Sequence, residues 1–228
     1  SIPSVMKRVA SVIQSIEPND SPERFRSLGV DVILGEGKFV DAQTFEVNGR
    51  KIRAKNFVIA TGSRPGVPPI PGLADVPYLT NETVFNLTKQ VPSLIIIGAG
   101  PIGIEMAQAF CRLGSKVSVV DLVTQILPKE DIDASDVVRK QLEHEGVAFH
   151  LGVTPQKVEG GKGDIRFSLK NKDGSETVLQ ATHILVAAGR RMNVENLGLE
   201  AAGVVTDKGK IISNDRLQTS QKHIYLCG

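Results

Sequence analysis

Residues 94–105 read LIIIGAGPIGIE. Four apolar residues lead into three glycines with the spacing G-x-G-x-x-G (Gly98, Gly100 and Gly103), and a helix-like pattern follows. A strand that is buried on both faces reads as a continuous apolar run. Glycines at this spacing between a strand and a helix are typical of a dinucleotide-binding turn. The stretch therefore predicts a βα unit whose turn binds the pyrophosphate of a dinucleotide.

Each position of the turn has a physical role in this prediction. Gly98 allows the tight turn, Gly100 lets the backbone approach a pyrophosphate, and Gly103 lets the helix pack close to the strand. Pro101 stands at the first helical position, where a missing N–H is tolerated. The free N–H groups and the positive end of the helix dipole favour phosphate groups. The predicted coenzyme loop comprises Gly98, Ala99, Gly100, Pro101, Ile102 and Gly103.

An acidic residue ends the next predicted strand, KVSVVD, 18 residues after Gly103. Asp121 can accept hydrogen bonds from the hydroxyls of the adenosine ribose and would repel a 2′-phosphate, which favours NAD over NADP. The alternative is that Asp121 only caps the end of the strand. Ala107 points the other way, because NADP binders often have alanine where NAD binders have a fourth glycine. The following residues, LVTQ, include no arginine, so we predict NAD, with NADP possible.

The order of predicted elements indicates an α/β fold. An amphipathic helix ends near Ile16, a small antiparallel meander extends from VDVIL (30–34) to KIRA (51–54), and a strand buried on both faces begins at Phe57. Further elements are a strand at 94–97, a helix at 101–113, a strand at 116–121, a helix at 133–145, strands AFHLGV, DIRFSLK and ETVLQA, and the buried strand HILVAAGR. This order predicts a Rossmann-like three-layer domain with a parallel sheet and a β-meander.

Composition limits the possible functions. The 228 residues carry 27 basic and 25 acidic side chains, for a net charge of +2, with no basic run, so nucleic acid is not an expected partner. No apolar run approaches the roughly 20 residues of a membrane span, and no signal peptide is recognised, so the cytoplasm is the expected location. Two distant cysteines and four scattered histidines predict no disulfide framework, metal site or catalytic residue.

Four stretches, in this order, resemble the class I pyridine nucleotide–disulfide oxidoreductases, which include dihydrolipoamide dehydrogenase, glutathione reductase and mercuric reductase. They are VIATGSRP (58–65), GAGPIGIE (98–105), HILVAAGRRMN (183–193) and RLQTSQKHIYLCG (216–228). The run from Glu105 to Asp121 looks most like mercuric reductase, whereas the acid that closes it looks more like dihydrolipoamide dehydrogenase.

The resemblance implies roles for further residues. Ala60, Thr61 and Gly62 match a strand end that touches FAD, and Glu105 matches a glutamate near the flavin–nicotinamide junction that pairs with a lysine of the FAD domain. Gly189 and Arg190 match a pair beside the bound nicotinamide nucleotide. Residues 1–72 would then belong to an FAD-domain segment with the meander, 73–90 to a linker, 91–190 to the NAD(P)-binding domain, and 191–228 to a return into the FAD domain.

The implied activity is hydride transfer from NAD(P)H through FAD to a disulfide or related acceptor. The family's own FAD glycine loop, its redox-active C-x4-C pair and its C-terminal dimerisation domain do not occur in the sequence. We therefore expect the chain to be a portion of a homodimeric parent and to be inactive alone. Two alternatives stay open: a non-catalytic nucleotide-binding or regulatory module, and a flavin oxidase or metal-ion reductase of the same superfamily.

Overall fold

The computed structural model describes all 228 residues. Its α-helices are α1 (Ile2–Ile16), α2 (Pro22–Ser27), α3 (Pro101–Arg112) and α4 (Ile132–Glu145). Its strands are β1 (Gly37–Asp41), β2 (Thr44–Val47), β3 (Arg50–Arg53), β4 (Phe57–Ile59), β5 (Ser63–Pro65), β6 (Tyr78–Thr80), β7 (Ser93–Ile97), β8 (Lys116–Asp121), β9 (Ala148–Leu151), β10 (Thr154–Gly161), β11 (Asp164–Lys170), β12 (Glu176–Ala181), β13 (His183–Val186), β14 (Arg190–Met192), β15 (Thr206–Asp207), β16 (Lys210–Ile211) and β17 (Ile224–Leu226). No helix is both long and apolar enough to cross a membrane.

The first of two compact units contains residues 1–15 and 65–189. Its centre is a five-stranded parallel sheet with the order β6-β13-β7-β8-β9. Alternate residues of β7 point to opposite faces: Leu94 and Ile96 pack against α1, α3 and α4, whereas Ile95 and Ile97 pack against the antiparallel meander β10-β11-β12. Both faces are thus covered, which is why β7 is apolar throughout. The predicted three-layer α/β fold is confirmed.

The second unit contains residues 16–64 and 190–228. The meander β1-β2-β3 forms as predicted, and its second turn is Asn48-Gly49, where both residues have positive φ angles, of 51° and 75°. This combination is typical of a type I′ hairpin turn. β4 pairs in parallel with β17. The core of this unit includes Phe39, Ile59 and Ile224.

Several local predictions were wrong. VDVIL at 30–34 forms no strand, because no neighbouring segment pairs with it. β4 was expected to be buried on both faces, yet Val58 is 64% exposed.

The meander of the first unit also differs from the prediction. AFHL pairs in parallel with β8 and so belongs to the central sheet, while the unpredicted strand Thr154–Gly161 completes the meander. The compact units meet along the chain at residues 15/16, 64/65 and 189/190. Residues 78–80 of the expected linker form the edge strand of the parallel sheet.

Candidate dinucleotide-binding site

The glycine turn follows β7 directly, and backbone contacts fix its shape. Gly98 has a φ angle of +113° and donates its N–H to the Val120 carbonyl at 2.8 Å. A β-carbon on Gly98 would stand 2.4 Å from the Ala187 carbonyl oxygen, so only glycine fits beside the end of β13. The Ala99 carbonyl accepts a hydrogen bond from the Leu127 N–H at 2.8 Å.

The start of α3 explains why two further glycines are needed. A β-carbon on Gly103 would lie 1.9 Å from the Gly98 carbonyl oxygen, so its absence lets the helix approach the turn. Gly100 is different: it is extended, and no atom of the chain lies within 4 Å of the place where its β-carbon would stand. The open space at Gly100 therefore faces away from the protein interior.

The first turn of α3 has N–H groups available for a ligand. Gly100 is the N-cap residue, it provides no side-chain cap, and Pro101 follows it. The N–H groups of the first helical turn have no partner within a helix, so those of Ile102 and Gly103 can donate to an anion. Together with the open space at Gly100, they fit a pyrophosphate.

Asp121 ends β8 and lies against the glycine turn. Its Oδ2 accepts a hydrogen bond from the Ala99 N–H at 2.6 Å, and its Oδ1 accepts one from the Val123 N–H at 3.1 Å. A carboxylate oxygen can accept more than one hydrogen bond, so Asp121 retains capacity for ribose hydroxyls. The structure thus brings Asp121 to the predicted loop, where its carboxylate joins the backbones of Ala99 and Val123.

Two other predicted residues of this unit are accessible. Glu105 is exposed on α3. Gly189, with a φ angle of +118°, follows β13, and its carbonyl accepts a hydrogen bond from the Gly66 N–H at 2.9 Å. Nothing lies within 4 Å of the place where a β-carbon on Gly189 would stand.

In the second unit, Ala60, Thr61 and Gly62 are exposed at the carboxyl end of β4. Asn193, which the sequence reasoning missed, holds this segment: its N–H donates to the Gly62 carbonyl, and its amide nitrogen donates to the Thr61 carbonyl, both at 3.0 Å. The only available signal was its place at the end of the stretch HILVAAGRRMN (183–193).

Two arginines make side-chain hydrogen bonds in the same region of the second unit. The Arg190 guanidinium donates to Ser63, at 2.7 Å to Oγ and 2.6 Å to the carbonyl. Arg64 forms a bidentate pair with Glu195, at 2.6 and 3.0 Å, and its hydrogen bonds hold the pKa of Glu195 down at about 2.

Cys111 does not have the surroundings of a reactive thiol. The Cys111 sulfur lies 3.2 Å from the Glu145 carbonyl oxygen, and burial raises the pKa of its thiol, which disfavours the nucleophilic thiolate. Cys227 is exposed, and both cysteines are free. No group of three or more histidine, cysteine or acidic side chains is arranged to hold a metal ion.

Comparison with known proteins identifies the family. The family model described as "Pyridine nucleotide-disulphide oxidoreductase" matches residues 6–228. The chain belongs to this family. The resemblance inferred from the four sequence stretches is therefore confirmed. Members of the family depend on FAD and on a nicotinamide nucleotide.

Relatives within the family include mercuric reductases and dihydrolipoyl dehydrogenases. A mercuric reductase of Lysinibacillus sphaericus is 42% identical over 199 residues, covering 87% of this chain and 36% of that protein. A dihydrolipoyl dehydrogenase of Acholeplasma laidlawii is 35% identical, with coverage of 88% and 59%. The solved structure of the HOCl-induced flavoprotein disulfide reductase RclA of Escherichia coli superposes with a TM-score of 0.86 at 26% identity, covering 99% of this chain and 52% of that one. The chain therefore spans about a third to three-fifths of the length of these relatives.

Proposed function

We propose that the chain is the nicotinamide-dinucleotide-binding portion of a flavoprotein oxidoreductase, which passes hydride from NAD(P)H through FAD to a disulfide or related acceptor. One observation carries the proposal. The free N–H groups in the first turn of α3 adjoin an open space at Gly100, and the Asp121 carboxylate accepts a hydrogen bond from Ala99 of the same loop. This arrangement combines an anion site with a hydrogen-bond acceptor for a ribose, which together describe a dinucleotide.

In this proposal the residues of the chain bind and orient the coenzyme. The N–H groups of Ile102 and Gly103 donate to the pyrophosphate, and the α3 dipole adds to the attraction. Asp121 accepts from the ribose hydroxyls while its charge disfavours a 2′-phosphate, so NADH is the preferred coenzyme. When bound, the nicotinamide supplies the hydride and the flavin accepts it.

The remaining assignments follow from family membership. Ala60, Thr61 and Gly62 would contact FAD, and Glu105, Gly189 and Arg190 would lie near the nicotinamide. The first compact unit would correspond to the NAD(P)-binding domain and the second to segments of an FAD-binding domain. A parent protein of the length seen in the relatives would carry the acceptor chemistry and would form a homodimer.

Direct binding tests the proposal. Isothermal titration calorimetry of the 228-residue chain should give saturable one-to-one binding of NADH and weaker binding of NADPH. Adenosine, which lacks the pyrophosphate, should bind more weakly than either coenzyme, because it cannot engage the start of α3. Absence of NADH binding by a folded chain would refute the proposal.

A second candidate function is reduction of a metal ion in place of a disulfide. The observation that favours it is the 42% identity to proteins named mercuric reductase, against 35% to a dihydrolipoyl dehydrogenase. A purified enzyme that contains this chain should then oxidise NADH faster with Hg²⁺ than with lipoamide. The reverse order would favour the disulfide acceptor.

A further inference from the structure

The side chain of Lys172 lies over Gly152, beside the loop that follows Asp121. Gly152 comes directly after β9, and its N–H donates to the Val123 carbonyl at 2.8 Å. A β-carbon on Gly152 would stand 2.7 Å from Cε and 3.2 Å from Nζ of Lys172, and 3.0 Å from the Thr124 methyl. The ammonium therefore occupies space that glycine leaves open, next to residues 123 and 124.

The turn that carries Lys172 is held by its own hydrogen bonds. It connects β11 and β12, and the Asn171 N–H donates to the Ser175 carbonyl at 2.8 Å. The Asp173 carboxylate accepts from the Ser175 N–H at 2.9 Å and from its hydroxyl at 2.6 Å. None of the ion pairs of the structure uses Lys172. The backbone that carries Lys172 is thus held in place, while its ammonium is free for a ligand.

The location of Lys172 relates it to the adenosine end of a coenzyme. β8 and β9 are parallel neighbours, so Asp121 at the end of β8 and Gly152 directly after β9 both lie at the carboxyl edge of the sheet. In open α/β sheets, ligands bind outside this carboxyl edge, and an acid at the end of the strand that follows the glycine turn and its helix typically binds the ribose. A cation beside residues 123 and 124 therefore stands on the side where a 2′-phosphate would project.

We propose that Lys172 is a specificity-determining residue that attracts the 2′-phosphate of NADPH and offsets its repulsion by Asp121. The inference rests on the proposed function, because it presupposes a coenzyme on the α3 loop. An ammonium binds phosphate as a point charge, whereas a ribose with two free hydroxyls gains little from it. The chain should consequently accept NADPH with only a modest disadvantage against NADH.

The test compares Lys172→Met with the matched variant Lys162→Met. Both remove one positive charge, but Lys162 lies in the turn at the other end of β11, and seven residues at about 3.3 Å each separate the two turns by roughly 20 Å. Ile165, three residues after Lys162, pairs with Ala181 just before the start of β13, so Lys162 lies toward the amino end of the parallel strands, opposite the carboxyl edge.

Calorimetric titrations of both variants with NADPH and NADH give the readout. Lys172→Met should weaken NADPH binding about tenfold and NADH binding less than twofold. Lys162→Met should change neither, and Lys172→Arg should keep the affinity for NADPH. Titration with adenosine 2′,5′-bisphosphate against 5′-AMP should show the same tenfold effect, because these ligands differ only in the 2′-phosphate.

Equal weakening of both coenzymes by Lys172→Met, or no change in either, would overturn the inference while leaving the proposed function intact. A folded wild-type chain that bound neither coenzyme would instead refute the proposed function, and the inference with it. Circular dichroism of each variant establishes that it is folded, as expected for an exposed turn position.

Discussion

Gly100→Ala and Gly103→Ala add the same methyl group three residues apart, and the structure predicts opposite consequences. On Gly103 the new β-carbon would stand 1.9 Å from the Gly98 carbonyl oxygen and 3.0 Å from its carbon. A carbon–oxygen contact needs about 3.3 Å, so α3 must retreat from β7 by more than roughly 1 Å. Forced repacking of this kind typically costs about 1–3 kcal/mol, and the better helix propensity of alanine offsets up to about 1 kcal/mol.

On Gly100 the added methyl meets no atom of the chain, and the backbone, with φ −76° and ψ −178°, suits alanine. The free energy of unfolding should therefore stay within about 0.5 kcal/mol of wild type. The methyl would instead stand where the pyrophosphate approaches the backbone. Loss of one hydrogen bond to a charged group costs about 1.5–3 kcal/mol, which corresponds to a roughly 10- to 100-fold weaker affinity for NADH.

Urea denaturation and calorimetric titration with NADH separate the two effects. Gly103→Ala should unfold about 1–2 kcal/mol more easily than wild type, whereas Gly100→Ala should unfold like wild type and bind poorly. The reasoning fails if Gly100→Ala binds NADH with wild-type affinity, or if it is destabilised as much as Gly103→Ala.

Three further substitutions test the loop and the packing of the α3 helix that follows it. Asp121→Asn keeps an oxygen that can accept from Ala99 but removes the charge, so calorimetry should show NADPH binding gain relative to NADH; an unchanged ratio would contradict the ribose role. Arg112 donates to Glu145 and holds the pKa of that carboxyl at about 2, against an ordinary 4.5. The ionised Glu145 therefore contributes fully to stability above pH 4.5, and this contribution is lost as the pH falls towards 2. Glu145→Gln should therefore lower the urea midpoint at about pH 7 by more than at about pH 3, and an equal decrease would contradict the linkage. Phe110 is 2% exposed in the helical layer of the core, and Phe110→Ala should cost about 3–5 kcal/mol in urea denaturation; a loss below about 1 kcal/mol would contradict this packing.

The sequence predicted the glycine turn well because its requirements are local. The positive φ of Gly98 belongs to the turn itself, and Gly103 approaches the Gly98 carbonyl, five residues earlier, so both positions exclude side chains for a local reason. The contact between Gly98 and the Ala187 carbonyl adds one long-range requirement. The strand before the turn is readable for a related reason: burial on both faces demands an unbroken apolar run. These constraints act on residues that are close in sequence, so hydrophobic patterning and glycine spacing make them recognisable.

Features that depend on distant partners were not readable in the same way. VDVIL at 30–34 has the composition of a strand but no partner, whereas TPQKVEGG at 154–161 has proline and two glycines yet pairs along β11. Strand formation is decided by the available neighbour more than by intrinsic preference. The approach of Lys172 to Gly152 joins two turns that the sequence does not relate, so only the structure brings it to light.

The two hydrogen bonds accepted by Asp121 have a kinetic consequence. Because the Ala99 and Val123 N–H groups both donate to one carboxylate, the predicted coenzyme loop is held in one shape without a ligand. A ligand then loses little affinity to the ordering of backbone. Association should accordingly follow a single concentration-dependent phase, and the Ala99 amide should already exchange its hydrogen slowly in the free protein.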